Sequence, residues 1–400
     1  MPTPKIRRRK TKSERIAQGN LLLVLALVGI VMCSIRFRDT IATTLRRHTR
    51  SIAQPCHEKE LPPMTDSSYA TVMGFATGYD IQDYKRFVGS LRNTGYKGNI
   101  LLAVAPDINE ESMAYLSSRR VDVSKVEFIP CTHSIFDDDP GEDHKDDMDS
   151  HEKEARSCVA PYSDLKARWG RFPFLRDRLQ ACKSCAGPVL ITDVRDTFFQ
   201  RDPFASGHPQ VQGLQVFEEH VKQTTKHWLV EWPVKTCKGV VYDEIMLCSG
   251  TAIGTREAMI DYLDIMEKEM NVWMNDKKCH FKLSGDDQAI HNYLYYSGQL
   301  PFAKAIPNRM GIVHTVGYIA SVIREKHRDR MEAKNMSESE PYDGTTPGTK
   351  PWITQEYDLT DEEGYILDFD GKKSAVVHQY DRFGVPIDLW LEQASGLVDK

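Results

Sequence analysis

The chain has 400 residues, of which 40% are hydrophobic and 27% are charged, and this ordinary globular composition excludes a fibrous protein, a wholly disordered chain and a multi-span membrane protein. The first fifty residues hold twelve Lys/Arg and two Asp/Glu, a net +10, so the net charge of -5 leaves -15 on the remaining 350 residues. An acidic body argues against a nucleic-acid binder, because such binding needs Lys and Arg to neutralise phosphates, and it suits a protein that binds cations.

The N-terminus has the pattern of a membrane anchor. Residues 16–35 form a largely apolar run of the length that crosses a bilayer core, and seven basic residues precede it. A cleaved signal peptide is the alternative, but the run is long and no small-x-small cleavage site follows it. We therefore expect a cytoplasmic tail at 1–15, a transmembrane signal anchor at 16–35, a stem at 36–68 and a luminal domain at 69–395. The protein is then a single-pass type II protein of the Golgi or endoplasmic reticulum membrane.

Cysteine usage agrees with an oxidising lumen. Eight cysteines lie outside the predicted span, and this even number predicts up to four disulfides, whose pairing the sequence leaves open. The Cys182-x-x-Cys185 pair could instead be a redox motif or half of a zinc site. No second close pair completes a zinc site, which favours structural disulfides. Asn335-Met-Ser337 is an N-glycosylation sequon.

Strands and helices alternate through the first part of the body. Strands are predicted at 69–76, 99–104 and 125–131, with helices at 81–92 and 110–119. This alternation is typical of a parallel sheet with crossover helices.

Residues 137–156 interrupt that pattern with ten acidic and three basic residues. A calcium-binding loop would need regularly spaced ligands and glycines, which are missing, so a disordered acidic insertion is the better interpretation.

The alternation resumes after this insertion. Helices are predicted at 164–180, 255–269 and 286–296, and strands at 188–192, 213–217, 312–315 and 375–379.

The strongest chemical signal is an apolar strand, Val189 to Thr192, that ends in Asp193 and Asp196. Ligands of open α/β sheets bind beyond the carboxyl ends of strands, and carboxylates there can hold Mn²⁺ or Mg²⁺ on a diphosphate. The alternative is a capping Asp with an ion pair to Arg195.

Two later segments could contribute to the same site. His378 ends a predicted strand and could be a transition-metal ligand, although a structural histidine is the alternative and His314 is a rival candidate. Asp287 and Gln288 open a predicted helix, where they could cap the helix or hold a polyhydroxyl substrate.

Taken in order, these motifs resemble a glycosyltransferase of the GT-A fold, most like the glycogenin-like, nucleotide-sugar-dependent type found in Golgi type II membrane proteins. The resemblance covers roughly residues 69–382. It implies a Rossmann-like α/β fold with a mixed, mainly parallel sheet flanked by helices. It also implies transfer of a sugar from a nucleotide-sugar donor, UDP-linked by expectation, to a glycan or protein acceptor with help from Mn²⁺ or Mg²⁺.

The resemblance also implies roles for individual residues. It assigns the metal to Asp193, Asp196 and His378, and Asp287 and Gln288 to catalysis on the sugar and acceptor side. Donor contacts fall on Ala76, Thr77, Tyr79, Arg168, Asp193, Ser249 and Gly250, with Lys166 and Arg171 as alternatives to Arg168.

One position departs from the family pattern. Val194 stands where the first Asp of the Asp-x-Asp motif is expected, and Asp193 precedes that position by one residue. Asp196 matches the second Asp of the motif, so the resemblance supports Asp196 as a metal ligand more directly than Asp193. A non-catalytic GT-A-like luminal scaffold or lectin therefore stays open as the alternative function. A haloacid-dehalogenase-type phosphohydrolase is disfavoured, because the segment 193–197 has one residue too many for its Asp-x-Asp-x-Thr motif. The segment 368–371 has the Asp-x-Asp spacing but lacks the following Thr and precedes a predicted strand.

Overall fold

A seven-stranded mixed sheet organises the computed structural model, which describes residues 69–132, 157–205, 212–276, 278–279, 286–319, 360–363 and 365–383. Its strands are β1 (Thr71–Ala76), β2 (Asn99–Val104), β3 (Asp122–Lys125), β7 (Val189–Thr192), β9 (Leu214–Lys222), β10 (Ile245–Gly254) and β11 (Ala303–Ile306). The order is β11-β9-β10-β7-β1-β2-β3, and β10 alone among them runs antiparallel to its neighbours. The expectation of a mixed, mainly parallel α/β sheet with flanking helices is confirmed.

Two smaller sheets contain the other named strands of the described residues. One contains β4 (Phe128–Ile129), β5 (Cys158–Val159) and β6 (Tyr162–Lys166), and the other joins β8 (Thr197–Phe199) to β12 (Val313–Thr315) and β13 (Val376–His378). In the second sheet β13 lies between β12 and β8.

Six α-helices accompany these sheets within the described residues. They are α1 (Ile81–Tyr84, the π-helical turn Lys85–Gly89 and Ser90–Asn93), α2 (Glu110–Ser118), α3 (Ala167–Ala181), α4 (Trp232–Lys238), α5 (Arg256–Asn275) and α6 (Asp286–Tyr296). A 3-10 turn, Tyr380–Phe383, follows β13.

The strand residues alternate between two apolar cores, one on each face of the central sheet. Val72 and Ile100 point into the core beneath α1, whereas their neighbours Met73 and Leu101 point into the core beneath α3, α5 and α6. This period of two is what a sheet covered on both faces requires.

Several elements differ from the sequence expectation. The helix expected at 164–180 begins at Ala167, because Tyr162–Lys166 pairs with β5 as β6. The strand expected at 125–131 is divided between β3 and β4. The Val126 amide donates the last hydrogen bond of this edge to the Val104 carbonyl, and the chain then enters the sheet of β4, β5 and β6.

The sequence predicts no strand at 245–254, where Cys248-Ser-Gly-Thr251 breaks the apolar alternation. The structure has β10 there, with a register shift against β9 between Cys248 and Ala252.

Several expectations fall on parts of the chain that the structure does not describe. The predicted tail, anchor and stem (1–68), the acidic insertion (137–156) and the sequon at Asn335 lie outside the described residues. Within the described ranges, no helix combines the length and apolarity that a membrane span requires.

Candidate metal and ligand site

The turn from Asp193 to Asp196 lies at the carboxyl end of β7. The Thr192 and Thr197 hydroxyls share a hydrogen bond of 2.7 Å, which closes the base of the turn. The Asp193 amide donates to the Gly250 carbonyl at 2.8 Å, so β10 holds the other side. Both carboxylates therefore stand on backbone that two neighbouring strands fix.

The small sheet of β12, β13 and β8 places His378 beside this turn. His378 pairs with Thr197 of β8 on one side and with Thr315 of β12 on the other. The next residue, Gln379, donates its amide to the Asp196 carbonyl at 2.7 Å. A residue from near the end of the described chain is thereby placed beside a turn about 180 residues earlier.

Asp193, Asp196 and His378 form a group that could hold a metal ion. Their potential ligand atoms all lie within 4.8 Å of one another. His378 Nε2 is 3.4 Å from Asp196 Oδ1 and 3.8 Å from Asp193 Oδ2. Among the described residues, no hydrogen-bond partner reaches Asp196 Oδ1 or His378 Nε2, although both atoms are buried. Buried polar atoms normally have partners, so two unpartnered atoms facing each other fit a bound cation.

The second polar atom of each of these three side chains contacts a residue outside the metal group. Arg171 Nη1 donates to Asp193 Oδ1 at 2.6 Å, and Arg382 Nη2 lies 3.5 Å from Asp196 Oδ2. His378 Nδ1 is 3.4 Å from the Cys248 sulfur. Such contacts orient the inner atoms toward a common point, as the neighbours of metal ligands do. Two carboxylates and an imidazole suit Mn²⁺ or a similar divalent cation.

The charges of the site shift the pKa values of its members. Burial alone would raise the pKa of Asp193, but Arg171 and His378 outweigh burial and hold that pKa well below its usual range. Burial would likewise lower the pKa of His378, whereas Cys248, Asp196 and Asp193 raise it well above the usual value. Burial raises the pKa of the Tyr79 phenol, and the charges of Asp193 and Asp196 raise it further.

Gly250 fits against this group because it has no side chain. A Cβ on Gly250 would collide with Asp193 Oδ2 and would lie 2.8 Å from Cε1 and 2.9 Å from Nε2 of His378. The three residues 249–251 lie at the register shift of β10 against β9. A bulge of this kind re-aims backbone and side chains beside functional sites.

A polar pocket of about 290 Å³ opens beside the group. Its lining is Arg168, Arg171, Asp193, Cys248, Ser249, Gly250, Asp287, Gln288, Gln379 and Arg382. One wall comes from β10 and the start of α6, and another from the chain after β13. The pocket thus combines three guanidinium groups with carboxylates and a serine hydroxyl.

Arg171 links the two sides of this pocket. Its Nη2 donates to Asp287 Oδ2 at 2.6 Å, while its Nη1 holds Asp193. Ser249 Oγ also donates to Asp287 Oδ2, at 3.4 Å. The guanidinium therefore sets the spacing between Asp193 and Asp287, which come from different elements.

Most of the site residues predicted from the sequence come together in the structure. Those that line the pocket or form the metal group are Asp193, Asp196, His378, Asp287, Gln288, Ser249, Gly250 and Arg168. Ala76 and Thr77 lie at the end of β1, where the Ala76 carbonyl accepts from the Tyr84 hydroxyl at 2.9 Å. The rival His314 is buried on β12, 3.4 Å from Ser374 Oγ, and is not in the metal group.

Other residues of the site had little or no assigned role in the sequence. The sequence offers Arg171 as one of three basic candidates, and only its helical position three residues after Arg168 points to it. The even number of cysteines predicts a disulfide for Cys248, but in the structure it is a buried free thiol beside His378. Among the described cysteines, three disulfides are formed, Cys131–Cys158, Cys182–Cys185 and Cys237–Cys279, which excludes a zinc site at the second pair.

Comparison of the chain with models of known protein families and with curated protein sequences finds no match to either. The chemistry open to the site therefore follows from its own donor atoms, charges and shape.

Proposed function

We propose that the chain is a metal-dependent glycosyltransferase of the GT-A type, which transfers a sugar from a nucleotide-diphospho-sugar, UDP-linked, to a glycan or protein acceptor in the secretory pathway. The observation that carries this proposal is the buried Asp193–Asp196–His378 group, with two unpartnered ligand atoms, beside a polar pocket beyond the carboxyl end of β7. Ligands of α/β sheets bind at that edge.

Asp193, Asp196 and His378 would hold the cation, which supplies a positive charge that offsets the growing charge of a diphosphate leaving group. Arg382 and Arg168 border the same pocket and suit the phosphate oxygens.

Asp287, Gln288 and Ser249 line the same pocket and offer oxygen atoms. There they would orient the sugar, and Asp287 would stabilise positive charge that develops at the anomeric carbon.

The test is release of UDP by the full chain in detergent, from a panel of UDP- and GDP-sugars with and without Mn²⁺. We expect metal-dependent release from one donor and at least a hundredfold loss in Asp196→Ala. Asp107→Ala is the matched control, because Asp107 is an exposed carboxylate outside the site. Metal-independent release, or release that survives Asp196→Ala, would contradict the proposal.

A non-catalytic luminal lectin or scaffold is the second candidate, and Val194 favours it. Val194 occupies the expected position of the first motif Asp and is fully buried, so it offers no ligand. This candidate predicts glycan binding without donor turnover. A panel in which no nucleotide-sugar binds, while glycans do, would select it.

A further inference from the structure

The amide of Gln288 has its orientation fixed by two acceptors. Its Nε2 donates to Glu219 Oε1 at 2.8 Å and to the Leu247 carbonyl at 3.0 Å. Both partners accept, so only the NH₂ end of the amide can face them, and both of its N–H groups are used. The carbonyl oxygen Oε1 is left, and within the described part of the chain no donor reaches it.

Glu219 is built into this arrangement rather than exposed on the surface. It lies on β9 and is 7% exposed, and Gln288 is 9% exposed at the start of α6. Asn292, one turn further along α6, donates to the Leu247 carbonyl at 2.8 Å and accepts from the Leu247 amide at 2.8 Å. The start of α6 is therefore fastened to β10 on one side and to β9 through Glu219 on the other.

The neighbours of Gln288 on the pocket wall also present acceptors. Asp287 is a carboxylate, and its Oδ2 is occupied by Arg171 and Ser249. Because the Ser249 hydroxyl donates its hydrogen bond to Asp287, its oxygen can only accept hydrogen bonds from a ligand. This wall, made of Ser249, Asp287 and Gln288, can accept hydrogen bonds but donates none from these three side chains.

We propose that Glu219 is a positioning residue that turns the Gln288 carbonyl into the pocket, and that the acceptor wall it completes selects a neutral, hydroxyl-bearing sugar over an anionic one. The proposal deepens the proposed glycosyltransferase function and rests on it. A hydroxyl can donate to every oxygen of the wall. At these three side chains a carboxylate or phosphate would meet lone pairs alone, and a buried acceptor without a donor is costly, so Arg168 and Arg382 are left to the diphosphate of the donor.

Binding to the full chain in Mn²⁺ tests the inference, with UDP, UDP-glucose, UDP-galactose and UDP-glucuronic acid as probes. Mono-deoxyfluoro analogues of the tighter-binding hexose donor complete the set, because fluorine cannot donate a hydrogen bond. We expect the neutral donor to bind at least tenfold tighter than UDP. We also expect at least one fluorine position to weaken that binding at least tenfold.

The variants separate positioning from folding. Glu219→Gln keeps an acceptor for Nε2 and should retain the fluorine effect within about threefold. Glu219→Leu frees the amide to turn, so the fluorine effect should disappear while UDP still binds. The double variant Glu219→Leu/Gln288→Leu removes both partners, which avoids a buried polar group without a partner, and should lose the effect in the same way.

Each outcome has a distinct meaning. Failure of UDP itself to bind would count against the proposed function. Three results would overturn this inference alone, provided that UDP binds tightly. They are no gain in affinity from either neutral hexose, equal binding of every fluoro analogue, and tighter binding of UDP-glucuronic acid than of the neutral donors. An unchanged fluorine effect in both Leu variants would remove Glu219 from its positioning role.

Discussion

At the scale of single residues, the candidate site depends on one glycine as much as on its charged groups. Gly250 packs its backbone against Asp193 and His378, and no side chain fits there. Gly250→Ala should displace at least one of the two ligands and weaken Mn²⁺ binding at least tenfold. Titration of Mn²⁺ followed by electron paramagnetic resonance measures this directly.

Gly239→Ala is the control for a general loss of stability. Gly239 has a φ of 70° and open space around its Cα, so an alanine there is strained by about 1 kcal/mol without touching the site. Equal Mn²⁺ affinity in Gly250→Ala and the wild type would show that the glycine has no part in the metal site.

The sequence predicted the chemistry of this site better than its geometry. The sequence points to Asp196 and His378 because the first closely follows a predicted strand and the second lies at the end of one, and strands are visible as apolar runs. The link from Arg171 to Asp193 and Asp287 is not visible, because it joins residues of three separate elements. Local pattern carries no information about which of several basic residues on one helix faces a distant carboxylate.

At the scale of elements, α5 begins with a well-defined cap. Thr255 accepts a hydrogen bond from the Ala258 amide at 3.2 Å and precedes the twenty-residue helix Arg256–Asn275. Thr255→Ala should lower the free energy of unfolding by about 1 kcal/mol, because one helix-terminal N–H loses its partner. Chemical denaturation measures this, and Thr255→Ser should retain most of the stability. A neutral Thr255→Ala would show that water replaces the cap.

The contact between α5 and α6 predicts a loss of stability in acid. His291 is fully buried, its Nδ1 lies 2.9 Å from the Tyr262 hydroxyl, and burial lowers its pKa from 6.5 to about 4. The folded state favours the neutral imidazole, whereas the unfolded chain takes up a proton near pH 6.5. The contribution of His291 is therefore complete above about pH 6.5 and is lost as the pH falls toward 4.

The size of this effect is on the order of 3 kcal/mol, from a pKa difference of about 2.5. Unfolding by urea at pH 7 and at pH 4.5 should show a smaller loss of stability in acid for His291→Gln than for the wild type. An identical pH dependence of the two proteins would refute the assignment.

The regular strands and helices of the fold could be read from local pattern, whereas β10, the short strands β8 and β11 and the helix α4 could not. The strand Asn99–Val104 and the helix Asp286–Tyr296 have their expected bounds, because each has a regular apolar period. The β10 segment contains Ser249 and Gly250 in its middle, and its register shift breaks the alternation that marks a strand. The feature that shapes the site is thus the one that obscures the element in the sequence.

At the scale of the whole molecule, the metal group joins two sheets. Asp193 follows β7 of the seven-stranded sheet, whereas His378 ends β13 of the three-stranded sheet. Asp196 lies between them, directly before β8. A cation bound to all three side chains would tie both sheets together, so metal binding and global stability should be coupled.

This coupling gives a prediction for the intact protein. A ligand that binds only the folded state at a hundred times its dissociation constant stabilises it by about 2.7 kcal/mol. For a body of this size, Mn²⁺ should therefore raise the melting temperature by about 5 °C, and a chelator should reverse the rise. Thermal unfolding of the full chain in detergent, with and without Mn²⁺, measures the shift.

Variants of the three side chains define the source of that shift. His378→Ala should abolish it because the small sheet then has no ligand in the group, and Asp196→Ala should do the same. Asp107→Ala, whose carboxylate is exposed and distant in sequence, should keep the full shift. A rise in melting temperature with Mn²⁺ that persists in His378→Ala would place the stabilising ion elsewhere. Without the His378 imidazole, an ion bound to Asp193 would have no ligand on the sheet of β12, β13 and β8.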